Sequence, residues 1–443
     1  MKRNRSIRQK RFSVKGVAPS IKVSRSVGQV TSQREKRSTQ QLGMIQAAIQ
    51  ARHSIQWSRA AAQMNLRMAK LLIRAIALLV KGLSAMLGIS SSVIILLCII
   101  MIVAALLSSP FGIFVADENT EPDTKKLVQI VEEMNAQFAA RIASVQQAAG
   151  EVDRVEIEYA GSADNTRIDN WPDVLAVYAV KTSTDSAAGL DVVTMDRQRE
   201  ELLQSVFWDM NQIDSHMETL EFTRTAAVEQ SDGSVEVQPV KEEERVLQLL
   251  ISARTAEQQA AIYSFSTEQV DLMNELLSEE FRPMMMAILG KKSDTGLTSE
   301  QSAAVITDLH AGVLGSQAVE LALTRLGDPY SQLKAGQDNY TDCSYLVQWV
   351  YRQLGVDVPR TAAEQARFIV DNGFSLTSDE LMAGDLIFWS YEPNGRFMDI
   401  THVGIYAGEG KVIDASSSRL QVVYRNVFDT DFQVMYGRPY VQD

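Results

Sequence analysis

Two cysteines and four histidines are the scarce nucleophilic and basic side chains of this 443-residue chain. Cys98 lies inside an unbroken apolar run, whereas Cys343 stands between Asp342 and Ser344 at the start of TDCSYLVQWVYRQLG. After Cys343 the apolar positions Leu346, Val347, Val350, Tyr351 and Leu354 recur at helical spacing, and Gly355 ends the pattern. Asp342 is a good N-cap, so Cys343 is predicted at the first helical position. The partial positive charge of a helix N-terminus favours the thiolate, which is the nucleophilic form of a water-accessible cysteine. Such a nucleophile needs a base. Of His53, His216, His310 and His402, only His402 falls in the same C-terminal stretch. It opens HVGIYAG, a predicted strand, and GEG turns the chain into a second strand, KVIDASS. That hairpin brings Asp414 close to His402. A thiol, an imidazole and a carboxylate then supply a nucleophile, a base and a group that orients the base. Each residue alone has an ordinary structural explanation, such as packing for the cysteine or turn chemistry for the aspartate. Their coincidence in one stretch points to catalysis. No Cys/His cluster has zinc spacing, so no metal and no other cofactor is expected.

The elements that must position these residues lie beyond a sharp boundary. Residues 1–90 hold 18 Lys/Arg and the single acid Glu35, and the remainder holds 25 Lys/Arg against 54 acids, which together give the net charge of -12. Between the basic head and the acidic body, Gly82 to Ala116 carries no Asp, Glu, Lys, Arg or His. Its densest part, SSSVIILLCIIMIVAALL (90–107), matches the roughly 20 apolar residues of a bilayer-spanning helix. A signal peptide would sit within about the first 30 residues, so a single transmembrane anchor is expected at 82–116. The positive-inside bias then places residues 1–81 in the cytoplasm and the C-terminal body outside the cell membrane. Residues 1–40 read as disordered and 41–81 as helical, a topology signal attracted to anionic lipid. No nucleic-acid partner is expected. With Cys98 in lipid, Cys343 has no disulfide partner within the exported part.

Residues 117–290 read as a mixed α/β domain. Leu127, Ile130, Val131, Met134, Phe138 and Ile142 predict an amphipathic helix; RVEIEYAG alternates as a strand; NWPDVLAVYAVKT and REELLQSVFWDMNQI read as helices; LEFTRTAAVEQSDGSVEVQPV reads as a hairpin; EEERVLQLLISA and TEQVDLMNELLSEE read as further helices. This domain has no cysteine, and its many acids sit on plausible solvated faces, so a spacer, docking or scaffold role is expected. No paired carboxylates for a muramidase stand out. GKKSDTGLTSEQSAA marks a linker over 291–314, ahead of a C-terminal domain at 315–443.

Four segments of that last domain, GDPY, TDCSYLVQWVY, MAGDLIFW and THVGIYAGEGKVIDAS, resemble the NlpC/P60 family of papain-like cell-wall peptidases. The resemblance covers about the last 125 residues. It implies an α+β papain-like fold in which a catalytic helix packs on an antiparallel sheet. It implies Cys343 as nucleophile, His402 as general base and Asp414 as the third polar residue. Tyr330, Asp342 and Ser344 match family positions that line the substrate pocket. The implied substrate is the stem peptide of peptidoglycan, cut by a thiol mechanism next to D-Glu. The sequence departs from the family pattern twice: Tyr345 follows Asp-Cys-Ser where glycine is usual, and a single Gly336 stands where a glycine pair is usual. The anchor and NWPDVLAVYAVKT also resemble, less specifically, tethered wall hydrolases of Gram-positive conjugative elements. That likeness implies partners in a conjugation or secretion channel. The alternatives are a non-catalytic wall-binding assembly component and an N-acetylmuramoyl amidase.

Overall fold

The computed structural model describes residues 109–118, 125–159, 164–184, 195–229, 235–292, 294–309 and 313–440, with Ile100, Ala104 and Val192 as single positions. The basic head, Cys98 and most of the expected span lie outside these residues. Among the described residues no helix is long and apolar enough to cross a membrane. The end of the apolar segment, Pro110–Glu118, is a 3-10 helix whose Ile113 is fully buried, with Phe111 and Phe114 against Phe281. These residues serve the core of the domain that follows.

That domain is built on α1 (Leu127–Ala148), β1 (Arg154–Tyr159), α2 (Trp171–Thr184), α3 (Arg197–Met210) and a long hairpin of β2 (Asn211–Glu229) and β3 (Val235–Ala253). The short helices α4 (Ala256–Ile262), α5 (Thr267–Leu276) and α6 (Arg282–Ile288) close it. The apolar stripe of α1 is buried as its spacing predicts. Phe138, Phe207, Trp208 and Trp171 meet in an aromatic cluster at its centre. One expectation fails. EEERVLQLLISA is the second half of β3, not a helix. Its Leu, Gln and Glu content favours a helix locally, but Val246 pairs with Arg154 of β1 on one side and Glu218 of β2 on the other. Backbone pairing to two distant strands overrides local propensity.

The stretch read as a linker over 291–314 contains regular structure. Residues 299–308 form α7 (Ser299–Asp308), started by a capping box between Thr298 and Gln301. Upstream of it, Lys292 and Asp294 carbonyls accept from Gln421. The segment is therefore fastened to the next domain.

The C-terminal domain comprises α8 (Leu314–Leu323), α9 (Cys343–Gln353), α10 (Ala362–Asp371) and a sheet in the order β4-β9-β5-β6-β7-β8. Its strands are β4 (Ser375–Leu376), β5 (Leu386–Trp389), β6 (His402–Gly408), β7 (Lys411–Ser416), β8 (Gln421–Asn426) and β9 (Gln433–Gly437). All pairings are antiparallel, so helices with an antiparallel sheet are found here as the α+β expectation has it. Gly384 of the MAGDLIFW segment has φ +98, and a Cβ there would lie 2.3 Å from Gly315 Cα of α8, so the helix approaches this turn only because the residue is glycine.

The two domains share buried polar contacts. Lys334 Nζ reaches Asp173 Oδ1 at 2.7 Å, with both side chains less than a tenth exposed. Removing one member of a buried pair strands the other charge. Lys334→Ala is therefore expected to destabilise the folded chain by roughly 3–5 kcal/mol, measured as a lowered denaturation midpoint. An unchanged midpoint would mean that this contact does not join the domains.

Candidate active site

Helix α9 begins as its sequence predicts. Asp342, in extended conformation, accepts a hydrogen bond from the Tyr345 N–H at 2.7 Å, which places Cys343 at the first helical position. The buried face of α9, including Leu346, Val347, Val350 and Tyr351, packs on β6 and β7. This brings the helix start to the strand that opens with His402. Ile405 of β6 pairs with Ile413 of β7, and Asp414 follows on the same hairpin. Gly404 is needed between them: a Cβ at that position would stand 2.7 Å from Val412 Cγ2 and 3.3 Å from Asp414 Cβ.

His402 Nε2 lies 3.0 Å from Asp414 Oδ2. Asp414 is fully buried and also accepts from Arg425 Nε at 2.8 Å and Nη2 at 2.6 Å. Burial alone would push the Asp414 carboxyl up, but His402 and Arg425 together hold it below its ordinary value. The carboxylate is thus a fixed anion beside the imidazole. With Nε2 committed to Asp414, Nδ1 is the nitrogen available to a thiol. Trp389 and Phe428 flank the ring, with centroids at 5.4 and 6.1 Å.

The surroundings of Cys343 differ from expectation. The residue is fully buried, not water-accessible. Its Sγ hydrogen-bonds Asp164 Oδ2 at 3.3 Å, and Asp164 belongs to the preceding domain. Burial, followed by the negative charges of Asp164 and Asp342, pushes the thiol well above its usual value; a hydrogen bond from the Val403 backbone opposes them. In this arrangement the helix N-terminus does not prevail, because desolvation and adjacent carboxylates both disfavour the thiolate.

The three expected pocket residues all surround Cys343. Asp342 is fully buried and paired with Arg360 Nη2 at 2.5 Å; burial raises its carboxyl to about 6 despite that guanidinium. Ser344 Oγ donates to Asp164 Oδ2 at 2.5 Å and accepts from Arg360 Nη1 at 2.8 Å. Tyr330 is 3% exposed, and its hydroxyl has no hydrogen-bond partner among the described residues. The two departures from the family pattern meet: a Cβ on Gly336 would lie 3.0 Å from the Tyr345 ring, so the single glycine makes room for the extra tyrosine. A cleft of about 380 Å³ runs past His402 and is lined also by Asn165, Arg167, Tyr391 and Arg425.

Sequence reasoning missed Asp164, Gln332, Arg360 and Arg425. No local signal marks Asp164, which opens the polar stretch DNTRIDN at 164–170. The arginines are ordinary until the fold sets them beside Asp342 and Asp414.

Asp169, buried near this site, accepts from the Gln332 backbone N–H at 2.5 Å. Burial pushes its carboxyl up to about 7, aided by Asp173 and Asp342 and opposed by the Gln332 N–H. The folded chain then holds this proton where the unfolded chain, with an ordinary value near 4, has lost it. The stabilising contribution is complete below about pH 4 and lost as pH rises through about 7, up to roughly 4 kcal/mol. Asp169→Asn is expected to flatten that slope in denaturation midpoints taken from pH 4 to 8. An unaltered slope would assign it to other groups.

Residues 327–438 match the model of the NlpC/P60 family. An endopeptidase of Corynebacterium glutamicum, named "Probable endopeptidase Cgl2188", is 36% identical over 24% of this chain and 46% of its own length. The bifunctional muramidase/DL-endopeptidase CwlT of Bacillus subtilis is 35% identical over 26% of this chain and 34% of its own. The murein DD-endopeptidase MepH of Escherichia coli is 25% identical over 38% of this chain and 62% of its own. The first of these relatives is thus matched over about half its length. The family match and these likenesses fall in the C-terminal part of the chain.

Proposed function

We propose that the chain is a membrane-anchored peptidoglycan hydrolase that cuts an amide bond of the stem peptide through Cys343, His402 and Asp414. The observation that carries this reading is the buried His402–Asp414 hydrogen bond at 3.0 Å, set beside the helix start that holds Cys343. In the proposed reaction Nδ1 of His402 takes the thiol proton, and the thiolate attacks the amide carbonyl. The Cys343 backbone N–H is the candidate donor to the oxyanion. The imidazolium protonates the departing amine, leaving a thioester that water hydrolyses with His402 again as base. Tyr330, Asp342 and Ser344 line the substrate side of Cys343. No metal or cofactor takes part in this scheme.

The relatives named as a DL-endopeptidase and a murein DD-endopeptidase support a peptidoglycan endopeptidase. The scissile bond of this proposal is the one next to D-Glu, as the family resemblance implies. The apolar run at 90–107 and the basic head support the tether, with the peptidase on the wall side of a Gram-positive membrane. A tethered enzyme of this type would open the wall locally for a transfer channel. The test incubates the full chain in detergent with purified peptidoglycan, beside its Asp164→Ala variant, in which the carboxylate contact on Cys343 is gone. Mass spectrometry identifies the released fragments. Fragments ending at D-Glu are expected. Release by neither protein, with both folded, would sink the peptidase reading and leave wall binding; fragments with the sugar freed from L-Ala would make it an amidase. Recovery of the chain only as freely secreted protein would remove the tether.

A further inference from the structure

The cover over Cys343 comes from outside its own domain. Asp164 Oδ2 accepts from Cys343 Sγ at 3.3 Å and from Ser344 Oγ at 2.5 Å, while Oδ1 accepts from the Ala362 N–H at 2.9 Å. Arg396 stands 3.9 Å from the same carboxylate, which is fully buried. The neighbouring backbone is held as firmly. The N–H groups of Asp164 and Asn165 both donate to Gln332 Oε1, at 2.8 and 3.2 Å. The Asn165 side chain donates to the carbonyl of Thr401, the residue before His402, at 3.4 Å. Thr166 donates through its N–H at 3.1 Å and its hydroxyl at 2.8 Å to Glu392 Oε1, and Asp169 accepts from the Gln332 N–H at 2.5 Å.

Residues 164–169 therefore form a strap that is tied to the peptidase domain at both ends. A carbonyl carbon must reach Sγ for attack, and in this structure the sulfur is fully buried with the Asp164 carboxylate against it. An anion against a thiol also opposes formation of the thiolate, so the strap acts on both access and reactivity. Neither effect serves a working nucleophile, and a packing role alone does not need a carboxylate aimed at sulfur.

We propose that residues 164–169 are an autoinhibitory strap: seated, Asp164 shields Cys343 from substrate, and hydrolysis requires the strap to leave the cleft. The consequence for hydrolysis rests on the peptidase reading above, whereas the shielding of the thiol stands on geometry alone. The middle domain is then a regulator of the active site, because it carries the strap.

The test measures alkylation of Cys343 by iodoacetamide in the full chain, with Cys98→Ser removing the other thiol, followed by intact-mass spectrometry. Asp164→Ala is expected to speed alkylation by about tenfold or more, the gain from opening a locally closed site. Glu392→Ala cuts the Thr166 tie, keeps the Asp164 charge, and is expected to speed it by a smaller factor. Peptide release from peptidoglycan is expected to rise with both. Faster alkylation with Asp164→Ala alone would reduce Asp164 to a charge effect and overturn the strap. Unchanged alkylation in both variants, with melting temperatures showing them folded, would overturn it too. Should Asp164→Ala fail to fold, Glu392→Ala decides. Faster alkylation in both without peptide release would uphold the strap and count against the peptidase reading.

Discussion

A Cys343→Ala chain is expected to release no stem peptide above background, a loss on the order of 10⁴-fold or more. Among the described residues Cys343 is the free thiol. Ser344 is next in sequence, but its hydroxyl accepts from the Arg360 guanidinium, and an alcohol is a far weaker nucleophile than a thiolate near neutral pH. The variant is expected to keep its fold. The substitution removes one buried sulfur and leaves the apolar face of α9 intact, a change of about 1 kcal/mol. His402→Ala should match it in rate, and the double variant should lose little more, because the two act as a unit. The measurement is fragment release by mass spectrometry in the Asp164→Ala background, where the thiol is uncovered. Full release by Cys343→Ala would remove the thiol mechanism.

Asp414→Ala is expected to lower kcat by roughly 10²–10⁴-fold while leaving residual release. Asp414 accepts from His402 Nε2, which keeps the proton on that nitrogen and leaves Nδ1 to receive the thiol proton. Its loss frees the imidazole to take the other tautomer and strands Arg425, which now has both its bonds to this carboxylate. Asp414→Asn keeps the shape and removes the charge, so it separates tautomer control from packing. A role in orienting the base lowers kcat more than it raises KM and shifts the acid limb of the pH profile. A merely structural role lowers the denaturation midpoint without that shift. Full activity of Asp414→Ala would mean that another group orients His402.

Much of this site could be read one residue at a time. Asp342 caps α9, Cys343 opens it, and His402 and Asp414 share a hairpin, because capping and hairpin turns are local chemistry. The amphipathic stripe of α1 and the helix after Asn170 were legible for the same reason. The second half of β3 was not, because its conformation comes from pairing with β1 and β2 rather than from its own residues.

Local chemistry thus determined where Cys343, His402 and Asp414 stand and which elements carry them, since each placement depends on neighbours within a few residues. Tertiary structure alone decided the state of the thiol. Asp164 lies 179 positions from Cys343, and Arg425 reaches Asp414 only after β8 pairs with β7. Desolvation and the charge of a distant carboxylate act through space, so a helix start that favours a thiolate on its own holds a protonated, covered cysteine in the folded chain.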